Sequence, residues 1–571
     1  MKMIKRYFFA LVIVAAASGC VRDKTIKQPR GSTLPSLYVT LSAEQLDAIL
    51  NDPKEKAPAH VLFVTAAHDT LYDDSLTHIK TRGNTSFKKA GAKKSFSIQF
   101  PLKYAFLGLD KSRSFALLAN AFDDSHIRNS IAFDLAHDIG LPAPHYTYLS
   151  LYLNDEYKGL YQITNKVDVS KHTLRITDLD KLNKQANPRP LKEYTWFGYG
   201  RIKEIIQRKG ALLECNPQDI TGGYLLDMSG SNWIYVKSVS GFVSDAGEPI
   251  RIRSPKYATP EEVDYIATFY NQMESAIMSD NGYHLETNKY YTEYIDIESF
   301  ALVYLLNELL LNQDGGMSSL YMYKDSDSID SKLYAGPIWD FDRSIGNTFK
   351  SDLEIIVPNE LYVRTQNGNS TENNSSGIFY YLWKHEDFQE AVKRLYYQTI
   401  SPSCHKYIES GTIDSLADYL STEAERDNLL YGIRKVGDYH STTKKALGFL
   451  QKRLAFLDWY FSAAPNDIVT INFQSNQRGL HHKMVPIYYS IGEPITILSS
   501  LRPHTFKDNH SPILELYLAG TDSIVQEGAV FDSPTILDLR YREPTRKEVQ
   551  QRRIRKQLEK WGICKPVERD W

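Results

Sequence analysis

Cysteine is scarce in this chain: its 571 residues contain four, Cys20, Cys215, Cys404 and Cys564. None sits in a C-x-x-C pair, which excludes a structural zinc site and a disulfide framework. One bridge among the last three stays open if the chain is exported. Net charge is nearly absent as well. Lys and Arg total 67 against 69 Asp and Glu, so no global field favours nucleic acid or an acidic polymer, and nucleic acid is not an expected partner. After the N-terminus, no apolar run approaches the roughly 20 residues of a membrane-spanning helix. There is no internal repeat. With 42% hydrophobic and 24% charged residues, the composition is that of a globular chain long enough for two or three domains.

The first twenty residues, "MKMIKRYFFALVIVAAASGC", carry a basic start (Lys2, Lys5, Arg6) and an apolar run from Tyr7 to Ala17. That run is too short to span a bilayer and ends in small residues, as a secretory signal does. Its last step, "AASGC", resembles a bacterial lipoprotein lipobox. The resemblance implies a signal peptide over 1–19, lipidation of Cys20 and a tether over 20–35. It thereby implies a lipid-anchored protein of the cell envelope, on the periplasmic face or the outer surface. A plain signal peptide with an incidental cysteine is the competing reading.

The patterning predicts an α+β chain. "LYVTLSAEQLDAILND" reads as a strand and a short amphipathic helix, and "HVLFVTAAHDTLYDDSLTHIKTRG" with "KKSFSIQF" as antiparallel strands. "DDSHIRNSIAFDLAHDIG" reads as a capped amphipathic helix closed by Gly140. "YTYLSLYLNDEYKGLYQITNKVDV" reads as a hairpin turning at Asn154–Asp155. A polar insertion covers about 178–218. The second half is mainly helical, led by "IDIESFALVYLLNELLLNQ", apolar nearly all round behind the N-cap Asp296 and so expected as a buried central helix. "NGNSTENNSS" is a polar low-complexity loop. From about residue 464 short strands return, and the chain ends in "TRKEVQQRRIRKQLEKW", a basic helix read as a solvated terminal face.

One segment concentrates carboxylates. In "NELLLNQDGGMSSLYMYKDSDSIDSKLYAGPIWDFDRSIGN", two apolar runs flank a turn-rich stretch, which is a hairpin signature. A hairpin sets the residues before its first strand beside those after its second, so Asp314 is expected to meet Asp340 at the open end. Three chemistries fit such a pair. One aspartate can orient an acceptor hydroxyl while the other holds Mg²⁺ on nucleotide phosphates. The two can act as the acid and base of a glycoside hydrolase. Or Asp340 and Asp342 can simply cap a turn.

Seven blocks, in order, resemble the CotH family, named for the spore coat protein H kinase. They are "RGNTSFKKAGAKKSFSIQF", "FALLANAFDDSHIRNSIAFDLAHDIGL", "LNDEYKGLYQITNKVDV", "GGYLLDM", "NELLLNQDGGMSSLYMYKD", "LYAGPIWDFDRSIGN" and "FYYLWKHEDFQEAVKRLY", running from Arg82 to Tyr396 within a resemblance read over about Leu37 to Phe461. The resemblance implies a bilobal, protein-kinase-like domain over 36–463, with a strand-rich N-lobe, a helical C-lobe and Mg-ATP (or Mn-ATP) between them. The C-terminal region, 464–571, is a strand-rich appendage outside it. The implied activity is phosphate transfer to a hydroxyl, expected on a protein substrate or surface-assembly partner. By motif, Asp314 is the catalytic aspartate, and Asp340, Asp342 and Ser319 are the metal-side residues. Lys94, with Lys93 as fallback, is the phosphate-contacting lysine, and Arg82 and Asn84 shape the loop over the phosphates. Arg128 and Asn129 are candidates to brace the site.

Two departures stand out. Kinase-type catalytic loops place asparagine five residues after the aspartate, where this chain has Ser319. The family's T-E-K segment reads Thr164–Asn165–Lys166 here, without the glutamate. An exported protein also meets no standing ATP pool. A non-catalytic binding or assembly lipoprotein on the same fold is therefore the alternative, and a glycan hydrolase the third reading.

Overall fold

The computed structural model describes residues 34–551 and 554, apart from 84–86, 89–90, 192–196, 199–212, 229–238, 317, 348–356, 366–376, 433–438, 474–485, 497–512 and 543–544. Cys20, Asn84, Cys564, the polar run Asn367–Ser376 and most of the terminal basic segment lie outside the described residues. The fold is mixed α+β.

The first half forms a closed barrel. Its strands are β1 (Ser36–Thr40), β2 (Ala57–Val64), β3 (Thr70–Arg82), β4 (Ser95–Tyr104), β5 (Ser112–Leu118), β6 (Tyr146–Leu153) and β7 (Glu156–Asn165), with helix α1 (Ala43–Asn51) after β1 and α2 (Arg128–Asp138) after β5. The strand order is β1-β2-β3-β4-β5-β7-β6. β1 runs parallel to β6, pairing Leu37 with Leu151, and this closes the ring. Alternate residues such as Val61, Phe63, Ile98, Phe115, Leu149 and Ile163 fill the interior, and closure leaves no edge strand to template aggregation. The β6–β7 turn falls at Asn154 and Asp155 as expected. Both have positive φ (49° and 64°), as a two-residue turn matched to strand twist requires.

Helix α2 departs from the amphipathic pattern expected of it. Arg128, Asn129, Ser130, Ile131, Ala132, Phe133, Leu135 and Ala136 are all buried, because the helix is wedged into the main core beside the helical half.

A second sheet comprises β8 (Phe197–Gly198), β9 (Tyr224–Met228), β10 (Ser240–Val243), β11 (Pro249–Ser254), β12 (Leu320–Lys324) and β13 (Leu333–Ala335), ordered β13-β12-β9-β11-β10-β8. Helix α3 (Leu179–Ala186) lies in the insertion before it. Leu226, Met228, Ile250, Ile252 and Met322 share the main core with α4 (Pro260–Met278) and α5 (Ile297–Leu310). α5 starts where Asp296 accepts a hydrogen bond from the Ser299 amide at 2.8 Å, the cap its sequence calls for.

Helices α6 (Ile378–Leu382), α7 (Glu386–Leu395), α8 (Ser401–Glu409), α9 (Thr412–Tyr431) and α10 (Tyr439–Ser462) complete the helical part. The C-terminal strands β14 (Ile468–Phe473), β15 (Ile487–Ser490), β16 (Ile513–Leu518), β17 (Ile524–Val525) and β18 (Thr535–Arg542) form a separate sheet, ordered β15-β14-β18-β16-β17. It has its own small core around Val469, Ile471, Ile487, Leu537 and Leu539. No helix among the described residues is long and apolar enough to cross a membrane. Cys215 and Cys404 are both free thiols.

Two fully buried ion pairs fasten these parts. On α5, Glu308 accepts from Arg453 Nη2 at 3.1 Å, and both side chains are sealed from solvent. Glu308 also accepts the backbone amides of Tyr362 (2.9 Å) and Val363 (2.8 Å), so its charge is spread over several donors. The second pair joins barrel to helix: Lys93 Nζ lies 2.8 Å from Asp427 on α9. Asp427 Oδ1 accepts the Leu160 amide of β7 at 2.9 Å. Gly159 makes this approach possible, since a Cβ there would stand 2.1 Å from Asp427 Oδ1.

Candidate active site

The β12–β13 hairpin, registered Met322 to Ala335 and Lys324 to Leu333, sets two loops side by side at its open end. The first leaves α5 through Leu311, in the left-handed region at φ 48°, and runs to Ser319. The second continues from β13 through Asp340 to Ile345. Cross-links stitch them: the Gln313 amide donates to the Arg343 carbonyl at 3.2 Å, and the Ile345 amide to Leu310 at 2.7 Å. Ser319 Oγ donates to Asp340 Oδ2 at 2.9 Å. Arg343 Nη1 donates to Asp314 Oδ1 at 3.1 Å, and its Nη2 to Gln313 Oε1 at 2.6 Å. Ser319, Asp340 and Ile345 join Leu311 in having positive φ, a conformation non-glycine residues keep only when their surroundings hold them there.

The two glycines after Asp314 pack closely against the protein's own atoms. A Cβ on Gly316 (φ 78°) would lie 2.9 Å from the Phe379 ring, and one on Gly315 would lie 2.9 Å from Asn307 Oδ1.

Asp314, Asp340 and Asp342 form one half-buried acidic cluster. Burial, then the charge of Asp314, raises the Asp340 pKa, against the Ser319 hydrogen bond and Arg82, which lower it. Asp342 is pushed well up by burial, then by Asp340, Asp314 and Asp123. The carboxylates thus repel one another where water screens poorly. Loop position is fixed from α2. The Phe341 amide donates to Asn129 Oδ1 at 2.8 Å, and Arg128 Nε donates to the Ser344 carbonyl at 3.0 Å. Arg128 and Asn129 therefore do brace the second loop. Arg128 is itself held by Asp123, which also accepts the Arg128 amide at 2.9 Å.

Positive charge faces the cluster from Arg82 on the barrel, and Lys166 and Arg253 gather around Arg82. Arg82, at the end of β3, lies 5.1 Å over the Trp339 ring and its field reaches Asp340. Lys166, just beyond β7, donates to Ser97 Oγ. Burial first, then Arg82 and Lys80, hold its pKa down at about 7. Arg253 acts on both Arg82 and Lys166. Beside it, Tyr321, Asp227 and Arg251 align across β12, β9 and β11, with Arg251 Nε donating to Asp227 Oδ2 at 3.0 Å.

Of the residues singled out from sequence, the structure gathers Asp314, Asp340, Asp342, Ser319 and Arg82. The two lysines sit in the turn before β4 rather than on it, and they go elsewhere. Lys94 Nζ donates to the Phe87 carbonyl and lies 4.9 Å over that ring. Lys93 is consumed by Asp427. Sequence reasoning passed over Lys166, Arg343 and Asp123. The signal for Lys166 lay in the same "TNK" triplet whose asparagine drew attention. That asparagine is structural: Asn165 Nδ2 donates to the Asp110 carbonyl and its Oδ1 accepts the Asp110 amide, both at 2.9 Å.

Among the described residues, no group of three His, Cys, Asp or Glu side chains is gathered tightly enough to hold a metal ion alone. The family described as CotH kinase protein matches residues 79–457. The chain belongs to the CotH kinase family. No curated protein matches it. The CotH kinase match takes in Arg82, Lys166 and the whole acidic cluster, and stops short of the C-terminal sheet. Membership of the CotH kinase family points in general to nucleotide and metal use.

Proposed function

We propose that this chain is an exported, lipid-anchored phosphotransferase that moves the γ-phosphoryl group of Mg-ATP to a protein hydroxyl. The barrel is then read as the strand-rich N-lobe of a kinase-like fold, and α4–α10 with the second sheet as its C-lobe. The observation that carries the reading is the meeting of Asp314, Asp340 and Asp342 opposite Arg82, within a chain of the CotH kinase family.

The donor set fits a divalent cation that is bridged to phosphate. Mg²⁺ needs only one or two carboxylates when phosphate oxygens supply the rest, which suits a cluster lacking a ready-made three-ligand cage. Asp340 and Asp342 would hold it. When bound, the ion would neutralise phosphate charge and relieve the repulsion that, after burial, raises both pKa values.

The chain's own groups do the remainder by position and charge. Arg82, Lys166 and Arg253 supply positive charge for the phosphates, and Lys94 drops out of that role. Asp314, pinned through one oxygen by Arg343, orients the acceptor. In the transfer, the acceptor oxygen bonds to the γ-phosphorus as the bridging bond to ADP breaks, and the hydroxyl proton passes to the Asp314 carboxylate. Ser319 occupies the kinase asparagine position and spends its hydroxyl on orienting Asp340.

A second reading, a non-catalytic surface-binding protein, is favoured by Asn165, which leaves the family's glutamate charge absent. Labelled ATP separates the two. Transfer that falls at least about 100-fold in Asp340→Ala supports the phosphotransferase. Nucleotide binding without transfer supports the binding protein.

A further inference from the structure

At the turn end of the β12–β13 hairpin, remote from the acidic cluster, lies a groove of about 750 Å³ between α4, the segment from Lys289 to Tyr294, and the hairpin turn. From Ser319 to Asp325 the strand advances about 20 Å at roughly 3.3 Å per residue, so this groove is separate from the cluster.

Its lining is acidic and aromatic. Glu261, Asp264, Glu293 and Asp327 line it against a single exposed ammonium, that of Lys289. The walls are Tyr265, Phe269 and Tyr294. This surface already accepts a cation from inside the protein. Lys324, fully buried, places its Nζ 5.2 Å from the Phe269 ring and 5.7 Å from that of Tyr265, and pairs with Asp327 at 2.5 Å. Lys289 repeats the contact outside, 5.7 Å over Tyr294. Carboxylates beside aromatic faces attract ammonium and guanidinium groups by charge and by the ring quadrupole. Ile329, in the turn between the lining residues Asp327 and Ser331, is 68% exposed.

We propose that this groove docks a lysine- or arginine-rich segment of a protein partner. The identification of that partner as the phosphate acceptor rests on the phosphotransferase reading, whereas the binding itself does not. A segment docked here needs at least about six extended residues to reach the acidic cluster.

The test uses the mature chain with Cys20→Ser, so that it carries no lipid, in detergent-free buffer, with a fluorescent ten-residue oligolysine as probe and oligoglutamate as control. Oligolysine should bind and oligoglutamate should not. The combined variant Glu261→Gln, Asp264→Asn and Glu293→Gln, with melting followed to establish folding, should weaken binding at least about tenfold. Raising salt from about 50 mM to about 300 mM should weaken it comparably, since the screening length then falls to roughly 6 Å. Asp340→Ala should leave it unchanged. Equal binding by a folded triple variant, or no binding of oligolysine by the wild type, overturns the proposal. Failure of ATP-dependent labelling with oligolysine binding intact overturns only the phosphotransferase reading.

Discussion

Ser319 and Asp340, on opposite arms of the β12–β13 hairpin, are joined by a 2.9 Å hydrogen bond from the serine hydroxyl to Oδ2. Both residues have positive φ, 56° and 70°. The Ser319 hydroxyl is thus tied to the neighbouring acid, where it lowers a pKa that burial and Asp314 raise. Ser319→Ala should cost about 1 kcal/mol in stability and weaken Mn²⁺ binding several-fold. Titration of Mn²⁺ against tryptophan fluorescence, alongside urea unfolding, checks both.

Burial of the cluster, and then the mutual repulsion of its carboxylates, makes a signed prediction for pH. Asp340 and Asp342 keep their protons in the folded chain at pH values where the unfolded chain has released them. Stability therefore falls as pH rises from the ordinary carboxylate range through the raised values, and levels off above them. Asp342→Asn should flatten that slope and raise the melting temperature at pH 7 without metal. Mg²⁺ should narrow the gap between variant and wild type.

Lys166 gives the opposite sign. Its folded pKa of about 7 lies below the ordinary lysine value of 10.5, so its burial penalty is largest below about pH 7 and fades as pH rises toward 10.5. Lys166→Met should melt higher than wild type at pH 6, with the difference shrinking by pH 10. The same variant should bind ATP about tenfold more weakly, a loss of roughly 1.4 kcal/mol. Melting curves across pH and a nucleotide titration read the two effects separately.

The barrel-to-helix pair is a matter of stability. Removing Asp427 leaves Lys93 charged and buried, so Asp427→Ala should cost about 3–5 kcal/mol, while Lys93→Met with Asp427→Leu should cost much less. Gly159→Ala should resemble Asp427→Ala, because its φ of 106° and the nearby carboxylate both exclude a methyl group. Urea unfolding of all three decides this.

Asn165→Glu introduces the glutamate that the resemblance to the CotH family leads one to expect, and it should not raise labelling above wild type. Glutamate cannot donate to the Asp110 carbonyl as Asn165 does, so about 1–3 kcal/mol should be lost, with no gain in labelling.

Local signals read well from this sequence because their causes are local. The Asp296 cap, the Asn154–Asp155 turn and the β12–β13 hairpin each depend on residues a few positions apart, and the hairpin was enough to bring Asp314 to Asp340. Barrel closure was not legible, since it depends on β1 meeting β6 across the intervening strands. The same limit misplaced the lysines. The alternation of "KKSFSIQF" puts Lys93 and Lys94 at the start of a strand, but both precede it, and the partner that claims Lys93 is Asp427, 334 residues away. Lys166 reaches the basic side of the site only because the barrel carries β7 round to it.

The most direct test of the account is transfer from γ-labelled ATP in Mg²⁺ or Mn²⁺, using wild type, Asp314→Ala and Asp340→Ala, each verified as folded. The account predicts label on the wild type or an added protein, and a loss of at least about 100-fold in both variants. Undiminished labelling in either variant, or no binding of ATP by the wild type, would contradict it.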